Sequence, residues 1–133
     1  MEYVERDRKR LYVRQRIWFL IYISKKEVLE EFAKKVINDK FGKVNFLING
    51  AGGNNPRATT DNEYQHEAKE GGKSFFDLDP EGVGFVFNLN FLGTLIPTQV
   101  FAKDMVAKKA GSILNISSMN AYTPLTKIPA YSA

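Results

Sequence analysis

The sequence predicts an α/β fold, a partial doubly wound parallel sheet in the order strand, helix, strand, helix, strand. One pattern in the sequence carries this prediction. Short apolar runs rich in β-branched and aromatic residues alternate along the chain with longer segments of helical period. Such alternation is typical of parallel strands that are joined by helical crossovers. The 133 residues are enough for one domain with one core.

The first predicted strand is the apolar run at residues 17–23, and a helix follows it. Ser24 and Glu27 have the spacing of a capping box, which predicts that the helix begins there. Apolar residues then recur at steps of four from Val28 onward, so one face of the helix should be buried. Gly42 is the predicted end of this helix.

Two further strands and a long helix complete the predicted order. The strands are expected at residues 44–48 and 113–116, and the first of these is mostly apolar and should therefore be buried on both faces. Asp79 and Pro80 have the residue types of a helix start, and the helix should run to about residue 109 with a kink at Pro97.

Composition limits the kinds of site that the chain can build. The absence of cysteine excludes disulfides and thiolate metal sites, and the single histidine, His66, argues against a histidine-based one. We therefore expect no metal and a cytoplasmic setting. The apolar run at residues 17–23 is too short to cross a bilayer, so we expect no membrane association.

The net charge of +4 is concentrated at the start of the chain. Residues 1–16 contain six basic and three acidic side chains. A basic arm could contact nucleic acid, but no nucleic-acid-binding motif accompanies it, so we favour a solvated, frayed terminus and no nucleic-acid partner. We interpret residues 1–23 as a divergent or mistranslated start that includes the first strand, and residues 24–133 as the partial domain.

Polar residues stand where a parallel sheet binds its ligands, beyond the carboxyl ends of its strands. Residues 49–52 follow one strand and Ser118 follows another, while Asn90 interrupts an apolar helical stretch. Tyr131 comes thirteen residues after Ser118. A serine can hold a carbonyl oxygen while a tyrosine passes a proton, although a phenol of ordinary pKa, about 10, needs a nearby cation for this.

Taken together, these residues resemble the motifs of the short-chain dehydrogenase/reductase family. That family has an Asn-Asn-Ala-Gly turn after its fourth strand, an asparagine in a long helix, a serine after its fifth strand and a Tyr-x-x-x-Lys pair. The corresponding residues here are Asn49, Gly50, Ala51, Gly52, Asn90, Ser118 and Tyr131. The four pieces lie in register over roughly residues 24–133, which makes the resemblance specific.

The resemblance implies a Rossmann-like sheet and an NAD(P)-dependent oxidoreductase. Ser118 would orient the substrate carbonyl, Tyr131 would be the general acid/base, and Asn90 would hold a water of the proton relay. Asn49, Gly50, Ala51 and Gly52, with Tyr131, would bind NAD or NADP. The implied partner is a small-molecule carbonyl or alcohol, and the full-length protein would be a homo-oligomer.

Parts of the family pattern are missing from the sequence. No Gly-rich turn precedes Ser24, Tyr22 stands where an acidic residue is usual, and the lysine four positions after Tyr131 would lie beyond Ala133. We therefore expect the 133-residue chain to be inactive by itself and to bind NAD(P) weakly. The alternative is a non-catalytic remnant that acts only through helix-mediated association.

The polar stretch at residues 54–74 shows no apolar period, and a loop of that length is usually functional or disordered. With its flanks it resembles the mannonate oxidoreductase and fructuronate reductase subgroup, which implies a sugar-acid substrate. Arg57, Lys69 and Lys73 could bind a substrate carboxylate or could simply be solvated.

A last expectation concerns five phenylalanines, which should lie in the core or at a subunit interface: Phe75, Phe76, Phe85, Phe87 and Phe91.

Overall fold

The computed structural model describes residues 2–6, 9–13, 23–67 and 70–133. The strands are β1 (Glu2–Arg6), β2 (Lys9–Val13), β3 (Phe46–Asn49) and β4 (Ser112–Asn115). The helices are α1 (Lys26–Phe32), α2 (Asp39–Phe41), α3 (Pro80–Phe87), α4 (Gly93–Lys108) and α5 (Pro129–Ser132). A π-helical segment, Ala33–Asn38, joins α1 to α2, and a second one, Asn88–Leu92, joins α3 to α4. Short 3-10 turns occur at Pro56–Ala58, Gln65–Glu67, Phe75–Asp77 and Met119–Ala121.

Strands β3 and β4 pair in parallel, which confirms the predicted α/β class. Phe46 lies opposite Ser112 and Asn49 opposite Asn115. Just beyond the ladder, the Ile116 N–H donates to the Asn49 carbonyl at 2.8 Å. Both carboxyl ends therefore reach the same edge of the sheet.

The first predicted strand, by contrast, cannot be compared with the structure over most of its length. Residues 17–22 lie outside the described residues, and Ile23 belongs to a turn.

The prediction that the strand at residues 44–48 is buried on both faces was wrong for the described part of the chain. Phe46 is 58 % exposed and Ile48 is 57 % exposed. Within the described residues β3 and β4 pair only with each other, and α4 packs against both strands. The side chains that point away from α4 are therefore left open.

The core lies where α4 meets α1, β3 and β4. Leu29 of α1 and Val100 and Met105 of α4 are buried there. At the rim, the Lys103 ammonium lies 3.1 Å from a Glu30 carboxylate oxygen and joins the same two helices. This ion pair is exposed, so burial of the apolar side chains supplies most of the contact energy.

The two predicted helix starts had different outcomes. The Asp79 carboxylate accepts the Glu81 N–H at 2.8 Å with Pro80 at the first helical position, which confirms the predicted start of α3. The capping box at Ser24 was wrong: α1 begins at Lys26 with Lys25 as its N-cap, so Ser24 lies one residue too early to cap.

Two features were not predicted in this form. Strands β1 and β2 pair as an antiparallel hairpin, with Glu2 opposite Val13, where we expected a frayed terminus. The five phenylalanines singled out in the sequence are all exposed, between 48 % and 82 %, so the core alternative was wrong for them. They lie on the 3-10 turn at Phe75–Asp77, on α3 and on the π-helical segment Asn88–Leu92.

By length and composition alone, the continuous helix Pro80–Lys108 could cross a membrane. Core helices of soluble proteins satisfy the same criteria. Here α4 packs against the parallel sheet, and the Asn90 side chain points to backbone groups of a neighbouring loop. We therefore interpret this helix as the helical layer of the α/β fold.

Candidate active site

A cleft of about 410 Å³ opens at the carboxyl ends of β3 and β4. This is the edge at which open parallel sheets bind ligands. Six of the residues singled out in the sequence line it: Gly50, Ala51, Gly52, Asn90, Ser118 and Tyr131. The fold thus brings an amide, an alcohol and a phenol that are far apart in the sequence to one cavity.

Asn49 lies beneath the cleft and does not line it. The side chain is buried at 6 % exposure. Its amide nitrogen donates to Thr98 Oγ1 at 2.9 Å and to Asn115 Oδ1 at 2.8 Å. Asn49 therefore ties the last residues of β3 and β4 to α4, and its two amide hydrogens are used in doing so.

Asn90 lies in the π-helical segment and clamps the turn that follows β3. Its Oδ1 accepts the Gly53 N–H at 3.0 Å, and its Nδ2 donates to the Gly53 carbonyl at 2.7 Å and to the Val86 carbonyl at 2.8 Å. Both amide hydrogens are used, which leaves one lone pair on Oδ1. The wider π turn is a common feature of helices at functional sites.

The Asn90 side chain leaves no room for a β-carbon at Gly52. A β-carbon at position 52 would lie 2.8 Å from Asn90 Oδ1, closer than such atoms approach in proteins. The requirement for glycine at this position therefore comes from the protein's own side chain.

Ser118 is half-buried and caps the 3-10 turn Met119–Ala121. Its Oγ accepts the Asn120 N–H at 3.2 Å. A hydroxyl has one hydrogen to donate and two lone pairs, so the Ser118 O–H remains available to an oxygen in the cleft.

Tyr131 reaches the cleft from α5. Its N–H donates to the Ile128 carbonyl at 3.1 Å, which is one of the bonds that form the helical turn. The next residue, Ser132, donates its hydroxyl to the Leu125 carbonyl at 3.2 Å. The phenol is thus carried by a single short turn that follows an irregular segment.

Sequence reasoning missed Asn120. It is buried at 6 % exposure, lines the cleft and donates from Nδ2 to Ser132 Oγ at 3.5 Å. An amide two residues after a serine in a predicted loop carries no distinctive signal in a single sequence. Among the described residues that line the cleft, none has a charged side chain; the polar groups are hydroxyls and amides.

The cations of the polar stretch that the structure describes are used outside the cleft. Arg57 binds the carboxylates of Glu81, at 2.8 Å, and of Asp79. The hydrogen bonds to Glu81 and then to Asp79 raise the pKa of Arg57 above its usual value. Lys73 Nζ donates to the Pro56 carbonyl at 2.9 Å, and Lys69 lies outside the described residues.

The residues of the cleft fit one end of a nicotinamide dinucleotide. Among the residues that line it, Gly50, Ala51 and Gly52 offer only backbone groups and one methyl group, whereas Ser118 and Tyr131 each carry a hydroxyl. This neutral set suits the nicotinamide and its ribose. It has no cation for the pyrophosphate.

The sequence of the chain is similar to those of known proteins. Residues 9–133 match the family described as short chain dehydrogenase, so the match begins nearer the N-terminus than residue 24. An uncharacterized oxidoreductase of Haemophilus influenzae is 63 % identical over 107 residues, which are 80 % of this chain and 37 % of that protein. An uncharacterized oxidoreductase of Bacillus subtilis, UxuB, is 52 % identical over 77 % of this chain and 37 % of its own length.

Solved structures give the same picture. A Haemophilus influenzae protein provisionally named a D-mannonate oxidoreductase, with bound NAD, superposes with a TM-score of 0.79 at 58 % identity over 84 % of this chain and 40 % of that one. An NAD⁺-bound xylitol dehydrogenase gives a TM-score of 0.67 at 22 % identity over 86 % of this chain and 38 % of that one, which shows the fold alone. The chain thus spans about two-fifths of the length of the proteins it matches.

Proposed function

The chain belongs to the short-chain dehydrogenase family, and we propose that it supplies the catalytic cleft of an NAD(P)-dependent oxidoreductase that interconverts a secondary alcohol and a ketone. The observation that carries the proposal is that Ser118 and Tyr131, on separate elements, line one cleft at the carboxyl edge of the sheet. The family match does not support the alternative of a remnant that only associates through a helix.

In the proposed reduction, the Ser118 hydroxyl donates to the carbonyl oxygen of the substrate, because Asn120 occupies only one of its lone pairs. Tyr131 donates the proton that this oxygen takes up, and in oxidation its phenolate accepts the proton from the alcohol. The nicotinamide of the cofactor, when bound in the cleft, would supply or accept the hydride.

We assign Asn90 to hold the Gly53 turn against the helix. While its amide hydrogens bind the Gly53 and Val86 carbonyls, a water of the proton relay can reach its side chain only by donating to Oδ1. Asn49 has a similar supporting role one layer deeper. Neither side chain needs to touch the cofactor for the cleft to work.

The substrate we propose is a polyhydroxy compound, a sugar acid of the mannonate and fructuronate type. Uncharged amide and hydroxyl groups in the cleft wall, Asn120 among them, suit hydroxyl groups next to the reacting carbon. The NAD-bound protein that is 58 % identical carries the provisional name D-mannonate oxidoreductase. Because the described cleft wall has no cation, the carboxylate would bind beyond it.

The test is turnover of D-mannonate by a full-length form of the protein, followed as nicotinamide absorbance with NAD and with NADP. We expect Tyr131→Phe to reduce kcat by at least about 100-fold, the range of one general acid/base, while cofactor binding measured by calorimetry changes little. Tyr122→Phe is the matched control, because Tyr122 is 90 % exposed and does not line the cleft.

Retained activity in Tyr131→Phe would refute the role of that phenol. Absence of turnover with D-mannonate, but activity on another polyol, would refute only the substrate. We expect the 133-residue chain alone to show no turnover, and measurable turnover by the purified chain would contradict this.

A further inference from the structure

The polar stretch at residues 54–74, which we call the excursion, is joined to the segment in front of Tyr131 by two hydrogen bonds. The Thr126 hydroxyl donates to Glu63 Oε1 at 2.8 Å. The Thr60 N–H donates to the Lys127 carbonyl, also at 2.8 Å. Both acceptor–donor pairs link positions more than 60 residues apart, so the contacts are tertiary and specific to this fold.

The excursion is itself anchored at its base to α3. Ala58 is fully buried, and a β-carbon at Gly82 of α3 would lie 2.6 Å from Arg57 Cβ. Arg57 binds Asp79 and Glu81 in the first turn of the helix, and its carbonyl accepts the Asp79 N–H at 3.1 Å. The start of the excursion is thereby fixed relative to α3, which leads into the π-helical segment that contains Asn90.

The turn that carries the phenol has little stability of its own. Helix α5 has four residues, far fewer than an isolated helix needs. Lys127, just before it, has φ 68°, in the left-handed region that non-glycine residues rarely adopt. Such a conformation persists where surrounding contacts hold it, and the Thr60 bond to the Lys127 carbonyl is such a contact.

We infer that Thr126 and Glu63 are positioning residues, whose hydrogen bond, together with that between Thr60 and Lys127, holds the Tyr131 turn against the cleft. The inference rests on the proposed function in one respect, that the phenol so held is the proton carrier. The excursion then has a mechanical role in the site although it does not line the cleft.

The first test needs no turnover and uses the 133-residue chain. Thr126→Val removes the hydroxyl and keeps the shape, whereas Thr126→Ser keeps the hydroxyl. Amide hydrogen exchange by NMR should show about five-fold lower protection at Tyr131 and Ser132 in the valine variant, a ratio typical of one lost hydrogen bond, and restored protection in the serine variant. Glu67→Ala, elsewhere in the excursion, is the control that should change nothing.

A merely structural role would lower protection at Leu47 and Asn49 of β3, whose N–H groups face β4, to the same extent, because global unfolding exposes every amide together. Equal loss in β3 and in the Tyr131 turn, or no loss in that turn, would therefore overturn the inference. So would a serine variant that behaves like the valine variant.

The second test uses the full-length form. We expect Thr126→Val and Glu63→Ala each to lower kcat about five-fold with KM for the cofactor unchanged, since a misplaced proton carrier slows the chemical step without weakening cofactor binding. The double variant should be no slower than either single one, because both remove the same bond. Additive losses of kcat in the double variant would overturn the inference. Absence of turnover by the wild-type protein would refute the proposed function alone, and the hydrogen-exchange test would still decide the inference.

Discussion

Asn90 Oδ1 lies so close to Gly52 that a β-carbon at position 52 would be only 2.8 Å from it. The amide that clamps the turn after β3 and the glycine that admits it therefore depend on each other. This pair fixes one wall of the cleft.

Gly52→Ala should displace Asn90 and destabilise the chain by about 1–3 kcal/mol, the usual cost of overpacking. Gly53→Ala is the matched control, since its β-carbon would meet only Leu89 Cδ2, at 3.9 Å, and should change stability by less than about 1 kcal/mol. Urea unfolding measures both. Equal stability of the two variants would contradict the clamp.

Asn49→Leu should lower the free energy of unfolding by about 2 kcal/mol, because it removes the donor for two side-chain acceptors under the cleft. Thr98→Val, which removes one of those acceptors and preserves shape, should cost less. Chemical denaturation of both variants and of the double variant would measure their coupling. We expect the double variant to be less destabilised than the sum of the two single ones.

The stability of the chain should depend on Asp79 in acid. The Glu81 backbone N–H, and then the Arg57 guanidinium, hold the pKa of Asp79 below its ordinary value of 3.8. A carboxylate whose pKa is depressed by folding stabilises the fold above its unfolded pKa, and this contribution is lost as pH falls through the lower, folded value. The Tm of thermal unfolding should fall less steeply between pH 6 and pH 2 in Asp79→Asn than in the wild type, because asparagine keeps a capping oxygen without the charge.

Gly82→Ala should separate the excursion from α3, because the new β-carbon would meet Arg57 Cβ at 2.6 Å and the Arg57 carbonyl carbon at 3.0 Å. We expect a loss of about 1–3 kcal/mol in the free energy of unfolding. Gly84→Ala provides the control, since its β-carbon would have no heavy atom within 4 Å. Faster protease cleavage within the excursion in Gly82→Ala, but not in Gly84→Ala, would show that the destabilisation arises where the excursion contacts α3.

Local patterns made part of this fold predictable. The apolar runs near β3 and β4 identify strands, and alternation with helices predicts their parallel pairing and the edge where Ser118 lies. The Asp79–Pro80 start of α3 is equally local, because one side chain caps the adjacent turn.

Other features depend on contacts that no single-sequence pattern records. Asn120 lines the cleft only because the chain turns after Ser118, and Thr126 meets Glu63 across 63 residues. The exposure of Phe46 and Ile48 depends on which elements cover the sheet, which an apolar run does not specify.

The π-helical segment Asn88–Leu92 determines which way the side chains of α4 face. One extra residue per wide turn advances the following side chains by about 100° around the axis relative to an unbroken α-helix. Side chains of α3 and α4 that share a stripe on a helical wheel therefore face different directions in space. Deleting a single residue there would leave the composition almost unchanged and yet swing the sheet-facing side of α4 toward water.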